Sequence, residues 1–471
     1  MFYLFSAAII GYIFSRASSH GGGSAMRRGW IIVVLIAPTW MVYQLRSIRV
    51  DYRVLASVIG IAILFIHPPK NRLILKPMLS DIVIGMMFLG ICISQTIWGA
   101  MAPLTPLDIG AQWLAPYLLG RVFLQSEDDI DDMIPVIVWT FFIVCVLDVT
   151  EAVLQKNIVN EMLGKRFGLL ETGEGYRWGM KRSQGNVGHP IFNGFQLVML
   201  FPWAAEASRR AKELNMGFFY KRVTWFAGIA AFFSISRGPQ LALLITSGVI
   251  FFFRHPKIRL AMLLMAVTGI TFIAFGKDAV IHALGKMAGE KEDDVRIIYI
   301  EGEATEYTGT RHRVLLLQVY KDAIANAGYF GWGGAMRAVE LEESVAQRFG
   351  SIDSHYLMFY LQYGYVGVSL FVMLMIVVLY YSVCAAWDDK QRWCTLCGGL
   401  AGAFLALALL MTSVWFAPDY GAVWLFNAGL IANIRSLPGT SSNQKKTLTD
   451  QTTAEARPDP LRRRLIPVTQ V

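Results

Sequence analysis

Apolar residues run along this chain in long blocks, and charged residues are confined to the gaps between them. A helix needs about 20 mostly apolar residues to cross a bilayer, somewhat fewer if its flanks snorkel. Blocks that approach this length lie at 2–15, 30–45, 52–67, 79–100, 107–124, 133–154, 187–207, 222–236, 238–253, 259–276, 355–384, 395–416 and 419–434. They predict an all-α polytopic bundle of about 12 to 13 transmembrane helices, the first block being short and the fifth amphipathic. The first block lacks a basic leader and a small-residue cleavage site, so it predicts a retained helix and not a signal peptide.

Two hydrophilic stretches interrupt the bundle, at 155–186 and at 277–354. The second is the large insertion, and a segment of that length between helices usually carries function or disorder. Within it, Val314, Leu315, Val319, Ala323 and Ile324 recur at helical spacing between Arg311 and Asn326, predicting an amphipathic helix on the membrane surface. The expected organisation is an N-terminal bundle over 1–276 that includes the loop 155–186, an extramembrane loop over 277–354, C-terminal helices over 355–436, and a disordered tail over 437–471. The tail is rich in Ser, Thr, Gln, Pro and charge and poor in apolar residues.

Composition agrees with the pattern. The 471 residues are 55% hydrophobic and 16% charged, with a mean hydropathy of +0.46, which excludes an ordinary soluble globule. The net charge of +9 would suit a nucleic-acid partner, but membrane proteins collect Lys and Arg in cytoplasmic loops, and no nucleic acid is expected here. The loop with Arg209, Arg210, Lys212, Lys221 and Arg222 and the turn with Arg254, Lys257 and Arg259 are assigned to the cytoplasm on that rule. Alternation then puts 155–186, the turn at Arg237 and 277–354 together on the outer side. The acidic run Glu127 to Asp132 falls inside and Arg46, Arg49 and Arg53 fall outside, the latter a true exception to the charge rule. The five cysteines lie in or beside apolar blocks and make no disulfide framework. Cys394 and Cys397 have half the spacing of a zinc site without a second pair, so neither metal nor cofactor is expected. The chain has no phosphate-binding loop, no paired-His metal helix and no Gly-x-Ser-x-Gly elbow.

The candidate chemistry gathers on the outer face. Arg237 sits in FFSISRGPQLALLITSG, at a turn set by Gly238 and Pro239. An arginine there either snorkels to the interface or captures a phosphate through paired N–H donors. Its company is Arg166, Arg177, Lys181 and Arg182 in one loop and Arg296, Arg311, His312 and Arg313 in the other, of which half or more are expected to be solvated. Several arginines converging at that surface would suit a lipid diphosphate. Asp148 and Glu151 lie one helical turn apart and are read as orienting an Arg in preference to proton chemistry, with Glu151 also a substrate-site candidate. His189, before Pro190, is a substrate-site candidate or a helix start. Asp353 and His355 are both placed to take a proton from a sugar hydroxyl.

Four stretches, YRWGMKRSQGNVGHPIFNG, SISRGPQLALL, TRHRVLLLQVYKDAIANAGYFGWGG and DSHYLMFYLQYGYVGVSLF, occur in the order seen in the O-antigen ligase/polymerase superfamily. Over roughly 120–380 the chain resembles that superfamily, and its exopolysaccharide-polymerase branch in particular. The resemblance implies an inner-membrane glycosyltransferase of GT-C-like architecture that takes undecaprenyl diphosphate-linked oligosaccharides on the periplasmic side, without nucleotide sugar or metal. It implies membrane lipids, and the flippase and export components of the same pathway, as partners. It implies that Arg237 and Arg311 engage the diphosphate, with Arg177, Arg182 and His189 as further substrate-site candidates. Ligases of the family carry a His eleven positions before a helix glycine. Counting back from Gly364 gives Asp353, with His355 two residues late, which favours polymerase over ligase and leaves Asp353 and His355 as joint candidates. A ligase, a transporter and a structural subunit of a secretion assembly are the competing readings.

Overall fold

The computed structural model describes residues 2–45, 48–68, 76–99, 101–124, 126–164, 176–177, 179–214, 217–276, 296–300, 303–307, 311–333, 352–388, 392–416 and 421–437. Helices dominate them: α1 Phe2–Ala25, α2 Ile31–Ile36, α3 Tyr52–Ile66, α4 Leu79–Ile97, α5 Thr105–Ile109, α6 Ala115–Val122, α7 Glu127–Leu154 and α8 Pro190–Arg209 form the first half. The second half holds α9 Gly217–Phe233, α10 Arg237–Arg254, α11 Arg259–Phe275, α12 His312–Val319, α13 Lys321–Ala327, α14 His355–Trp387, α15 Cys394–Leu410 and α16 Ala422–Ser436. The described strands form antiparallel hairpins: β1 Tyr43–Leu45 with β2 Ile48–Val50, β3 Tyr176–Arg177 with β4 Met180–Lys181, and β5 Arg296–Ile300 with β6 Glu303–Tyr307. The expected all-α polytopic class is the one observed. The expected tail lies outside the described residues beyond Leu437, as do Arg46, Arg166 and the side chain of Arg296.

Among the described residues α4, α7 and α14 are each long and apolar enough to cross a membrane. Helix α10 with Pro256–Gly269 passes the same test as a pair bent by 110°, giving three spans or four where the hydropathy pattern predicts about 12 to 13. Length accounts for two of the others. Helices α3 and α15 are apolar but have 15 and 17 residues. At 1.5 Å per residue these reach about 23 and 26 Å against a core of about 30 Å.

Two apolar blocks do not become continuous helices. The block 30–45 stops at Ile36, because Ala37 before Pro38 is extended at ψ 132°, and the chain then enters β1. Helix α14 breaks at Gly364, whose φ of 66° and ψ of −162° are non-helical. The segment around Tyr329 and Gly331 docks on this break. Tyr365 and Val366 donate to the carbonyls of Gly328 and Tyr329, and Trp332 N–H donates to Leu361 O at 2.7 Å. A Cβ at 364 would lie 2.4 Å from the Tyr329 carbonyl, so only glycine lets the two backbones meet.

The main core joins α6 to α16, α10 to α15 and α14 to both α4 and α15. Small residues set the closest crossing. A Cβ on Gly120 would lie 2.1 Å from Phe426 O, and one on Gly429 would lie 2.0 Å from Tyr117 O. A second, smaller core holds Ile298 and Ile300 of β5, Leu315, Leu316, Tyr320 and Ala323 of α12 and α13, and Ile352, Leu357 and Leu361 at the start of α14. The predicted amphipathic helix is thus two helices meeting at Tyr320, with a buried face that covers β5 and the start of α14.

At one end of the bundle the acidic run opening α7 is paired. Asp131 accepts from both terminal nitrogens of Arg210, from Trp393 Nε1 at 2.8 Å and from Arg392, while Glu206 binds Arg209 and accepts from Leu396 N at 2.9 Å. These bonds tie α7, α8 and the start of α15. The acids that dissent from the charge rule are therefore counter-ions of the basic loop.

The α6–α16 crossing leaves no room for a methyl group. Gly429→Ala should lower the detergent-solubilised melting temperature or prevent accumulation, an overpacking cost of about 1–3 kcal/mol or more. Gly248→Ala, where a Cβ would meet nothing within 4 Å, should leave the melting temperature unchanged or raised. Equal behaviour of the two variants in a thermal size-exclusion assay would sink this account of the crossing.

Candidate functional site

The other end of the bundle is built around a buried strand of irregular chain. Twenty residues of α7 separate Asp131 from Glu151, about 30 Å along the helix. There β3 and β4 turn back through Gly179, at φ 76°, and lead into residues 181–187, which are all buried. A buried loop must have its polar backbone answered. The Glu151 carboxylate accepts from Gln184 N at 3.0 Å, Gly185 N at 2.9 Å and Asn157 Nδ2 at 2.9 Å, and lies 4.0 Å from Lys181 Nζ. Asp148 accepts from Asn193 Nδ2 at 2.8 Å, and Asn193 also reaches Ser183. Asn186 donates to Leu35 O at 2.7 Å, and Thr39 donates to Val187 O at 2.7 Å, so the frayed end of α2 and the loop satisfy each other. Gly185, at φ 55°, is required as well, since a Cβ there would lie 2.6 Å from both Asp148 and Asn193. Asp148 and Glu151 thus hold the loop that carries the cations.

The loop is bonded in turn to the α9–α10 hairpin. Ser183 N donates to Phe233 O at 3.0 Å, Arg182 Nη2 to Ser236 Oγ at 2.8 Å and Arg177 Nη1 to Ile235 O at 3.2 Å. Ile235 has φ 45°, a conformation that a β-branched residue adopts only under strain, typically about 1–3 kcal/mol. The turn it makes puts Arg237 at the first position of α10, after the cap residue Ser236. Helix α10 is pressed onto α8 at the same level, where a Cβ on Gly194 would lie 2.4 Å from Pro239.

Arg177, Arg182, Arg237 and Arg313 all line one cleft of about 220 Å³, with Ser236 and Ser413 among its walls. Four guanidiniums around one opening, beside the positive end of an 18-residue helix, make a site for a multiply charged anion. Arg313 enters from α12, where its Nε donates to Ser413 O at 2.9 Å and its Nη2 lies 3.8 Å from Asp353 Oδ2.

The expected site residues separate as follows. Arg177, Arg182 and Arg237 come together. Arg311 does not line this cleft and is paired with Glu306 of β6, while Arg313, which the sequence placed only in the wider company, takes the position in the wall. Positions two apart on a helix point about 200° apart, so only one of the two can face the cleft. Asp353 meets the cleft through Arg313 with its side chain 41% exposed. His355 is 2% exposed, between the rings of Phe359 and Phe371, with Nδ1 accepting from Phe416 N at 3.3 Å and its backbone N–H bonded to Met411 O. His189 precedes α8, stacks on Phe192 at 4.5 Å and gives its carbonyl to Asn193 N. Glu151 is 1% exposed and serves the loop backbone.

Residues 223–372 match the family model described as O-antigen ligase. No curated protein matches the chain. The matched segment runs from α9 to the middle of α14 and includes Arg237, Arg311, Arg313, Asp353, His355 and Gly364, while Arg177, Arg182 and Glu151 precede it.

Glu151→Ala would leave two buried N–H groups, an amide and Lys181 without their acceptor. Removing one partner of such a buried charged network typically costs about 3–5 kcal/mol. The expected outcome is a lower melting temperature together with faster proteolysis after Lys181 or Arg182, with Glu151→Gln intermediate. Wild-type resistance at those two positions in the alanine variant would show that the loop is held by other means.

Proposed function

We propose that the chain, whose residues 223–372 match the O-antigen ligase family model, transfers undecaprenyl diphosphate-linked oligosaccharide repeat units onto a lipid-linked acceptor at the periplasmic face of the inner membrane. The observation that carries this reading is the cleft that Arg177, Arg182, Arg237 and Arg313 line together. A lipid diphosphate brings two or more negative charges and pairs of oxygens that a planar guanidinium can bind with two N–H donors at once, a better match than a point charge makes. The arginines hold the diphosphate and stabilise the charge that grows on it as the glycosyl bond breaks.

Asp353 is the base in this reading. Its half-exposed carboxylate stands beside Arg313, while His355 is enclosed by aromatic rings and engaged by Phe416 N. The acceptor oxygen forms its bond to the anomeric carbon as the bond from that carbon to the diphosphate oxygen breaks. The bonding pair leaves on the diphosphate, and the hydroxyl proton passes to the Asp353 carboxylate. Attack from the face opposite the leaving group inverts the anomeric centre. His355 then has a positioning part, fixing the start of α14 against the segment around Met411 and Phe416. Binding both lipid-linked partners at one surface contributes through proximity.

Transfer onto a different acceptor, as the family's ligase description implies, uses the same donor site. Purified protein given only the lipid-linked donor separates the two: chains that lengthen mark a polymerase, and a requirement for a second acceptor marks a ligase. A transporter would place its charges near the middle of the bilayer, whereas these arginines collect at one end of the helices.

In a chromosomal Arg237→Ala strain with normal protein abundance in the membrane, single unpolymerised repeat units should accumulate on the lipid carrier. Loss of a donor to developing anionic charge typically lowers the rate about 10²-fold or more. An unchanged distribution of glycan lengths would return Arg237 to a snorkelling role and remove the main support for the cleft as donor site.

A further inference from the structure

Arg313 has two neighbours of different kinds. On one side it lines the cleft with Arg177, Arg182 and Arg237, and on the other its Nη2 lies 3.8 Å from Asp353 Oδ2. The pairing is arranged by the smaller core. Leu315 and Leu316 on the helix of Arg313 pack in the same cluster as Ile352, the residue before Asp353. The backbone of each partner is therefore fixed, while the two charged ends are 39% and 41% exposed. The third contact of Arg313, from Nε to Ser413 O at 2.9 Å, orients the guanidinium.

An ion pair at 3.8 Å is longer than a hydrogen bond, and a half-exposed pair of this sort contributes little. A diphosphate offers more charge and a bidentate set of oxygens, so it competes well for the same guanidinium. We infer that Arg313 is shared between Asp353 and the donor diphosphate, and that donor binding draws it away from Asp353, which readies that carboxylate as the base. The inference rests on the proposed reading of the cleft. Losing a cationic neighbour and gaining an anionic one both raise the proton affinity of a carboxylate. Asp353 becomes the stronger base only when the leaving group is in place.

A double-variant cycle tests this with inorganic pyrophosphate as the probe, binding measured on the full chain in nanodiscs and turnover measured with lipid-linked donor. Asp353→Asn should tighten pyrophosphate about 3- to 10-fold while abolishing turnover, because it releases Arg313 to the cleft. Arg313→Ala should weaken binding, and in that background Asp353→Asn should change affinity less than 2-fold. If Arg313→Ala fails to accumulate, Arg313→Gln completes the same cycle. Tightening by Asp353→Asn that is absent, or of equal size with and without Arg313, overturns the shared role. Arg237→Ala is the separate control for the cleft itself. If wild type does not bind pyrophosphate, or Arg237→Ala binds it as well as wild type does, the donor-site reading fails and this inference falls with it. Weakening by Arg237→Ala without coupling between 313 and 353 removes the shared role alone.

Discussion

A stretch of irregular chain buried in an apolar bundle must have every polar backbone group answered from within, and residues 181–187 are such a stretch. Glu151 answers Gln184 and Gly185, Asn193 links Ser183 to Asp148, and the carbonyls left open where α2 ends take the amide of Asn186. The cationic cleft depends on this anchoring. Arg182 reaches Ser236, and Arg177 reaches Ile235, only because the loop between them and α8 is held in one place. An acid that never touches the cleft thus sets where its arginines stand.

Charge is used differently at the two ends of the helices. At the Asp131 end, Arg210 and Arg392 meet carboxylates at close range, and the result ties α7, α8 and α15 together. At the Glu151 end, Arg177 and Arg182 donate to a carbonyl and a hydroxyl of the hairpin, and Arg313 donates to Ser413 O while its Nη2 lies 3.8 Å from Asp353. Orientation by neutral atoms is what an anion site requires, and close pairing with carboxylates is what a staple requires.

Much of this was legible in the sequence because its causes are local. Hydrophobic periodicity located α8, α9 and α10, and the Gly-Pro pair after Arg237 marked the turn that presents it. The motifs carrying the family resemblance fall on β3, β4 and the buried loop after them, the α9–α10 hairpin, α12 and the start of α14, the elements that build the cleft or border it. What was hidden depends on phase and on partners far away in the chain. Whether Arg311 or Arg313 faces the cleft is decided by which side of α12 meets Leu357 and Leu361, more than forty positions on. Glu151 binds backbone N–H groups 33 and 34 residues away, and a backbone donor has no residue type to reveal it. The enclosure of His355 by Phe359 and Phe371 arises where the first turn of α14 meets the part beyond Gly364. The hydropathy blocks also register apolar content and not the breaks at Pro38 and Gly364.

The strain at Ile235 ties these observations to chemistry. A β-branched residue at positive φ is costly, and it persists here because its neighbours leave no alternative. Its carbonyl is taken by Arg177, Ser236 is held by Arg182, and α10 is pressed onto α8 at Pro239 and Gly194. Relaxing Ile235 would move the first turn of α10, and with it Arg237 and the backbone N–H groups of that turn. Their place is therefore fixed before any ligand arrives. Fixed donors aimed at developing charge need no reorganisation as the reaction proceeds, which is where such groups gain their effect. The strained turn, the buried loop 181–187 and the carboxylates beneath it are parts of one arrangement whose product is a cluster of cations at the end of the bundle.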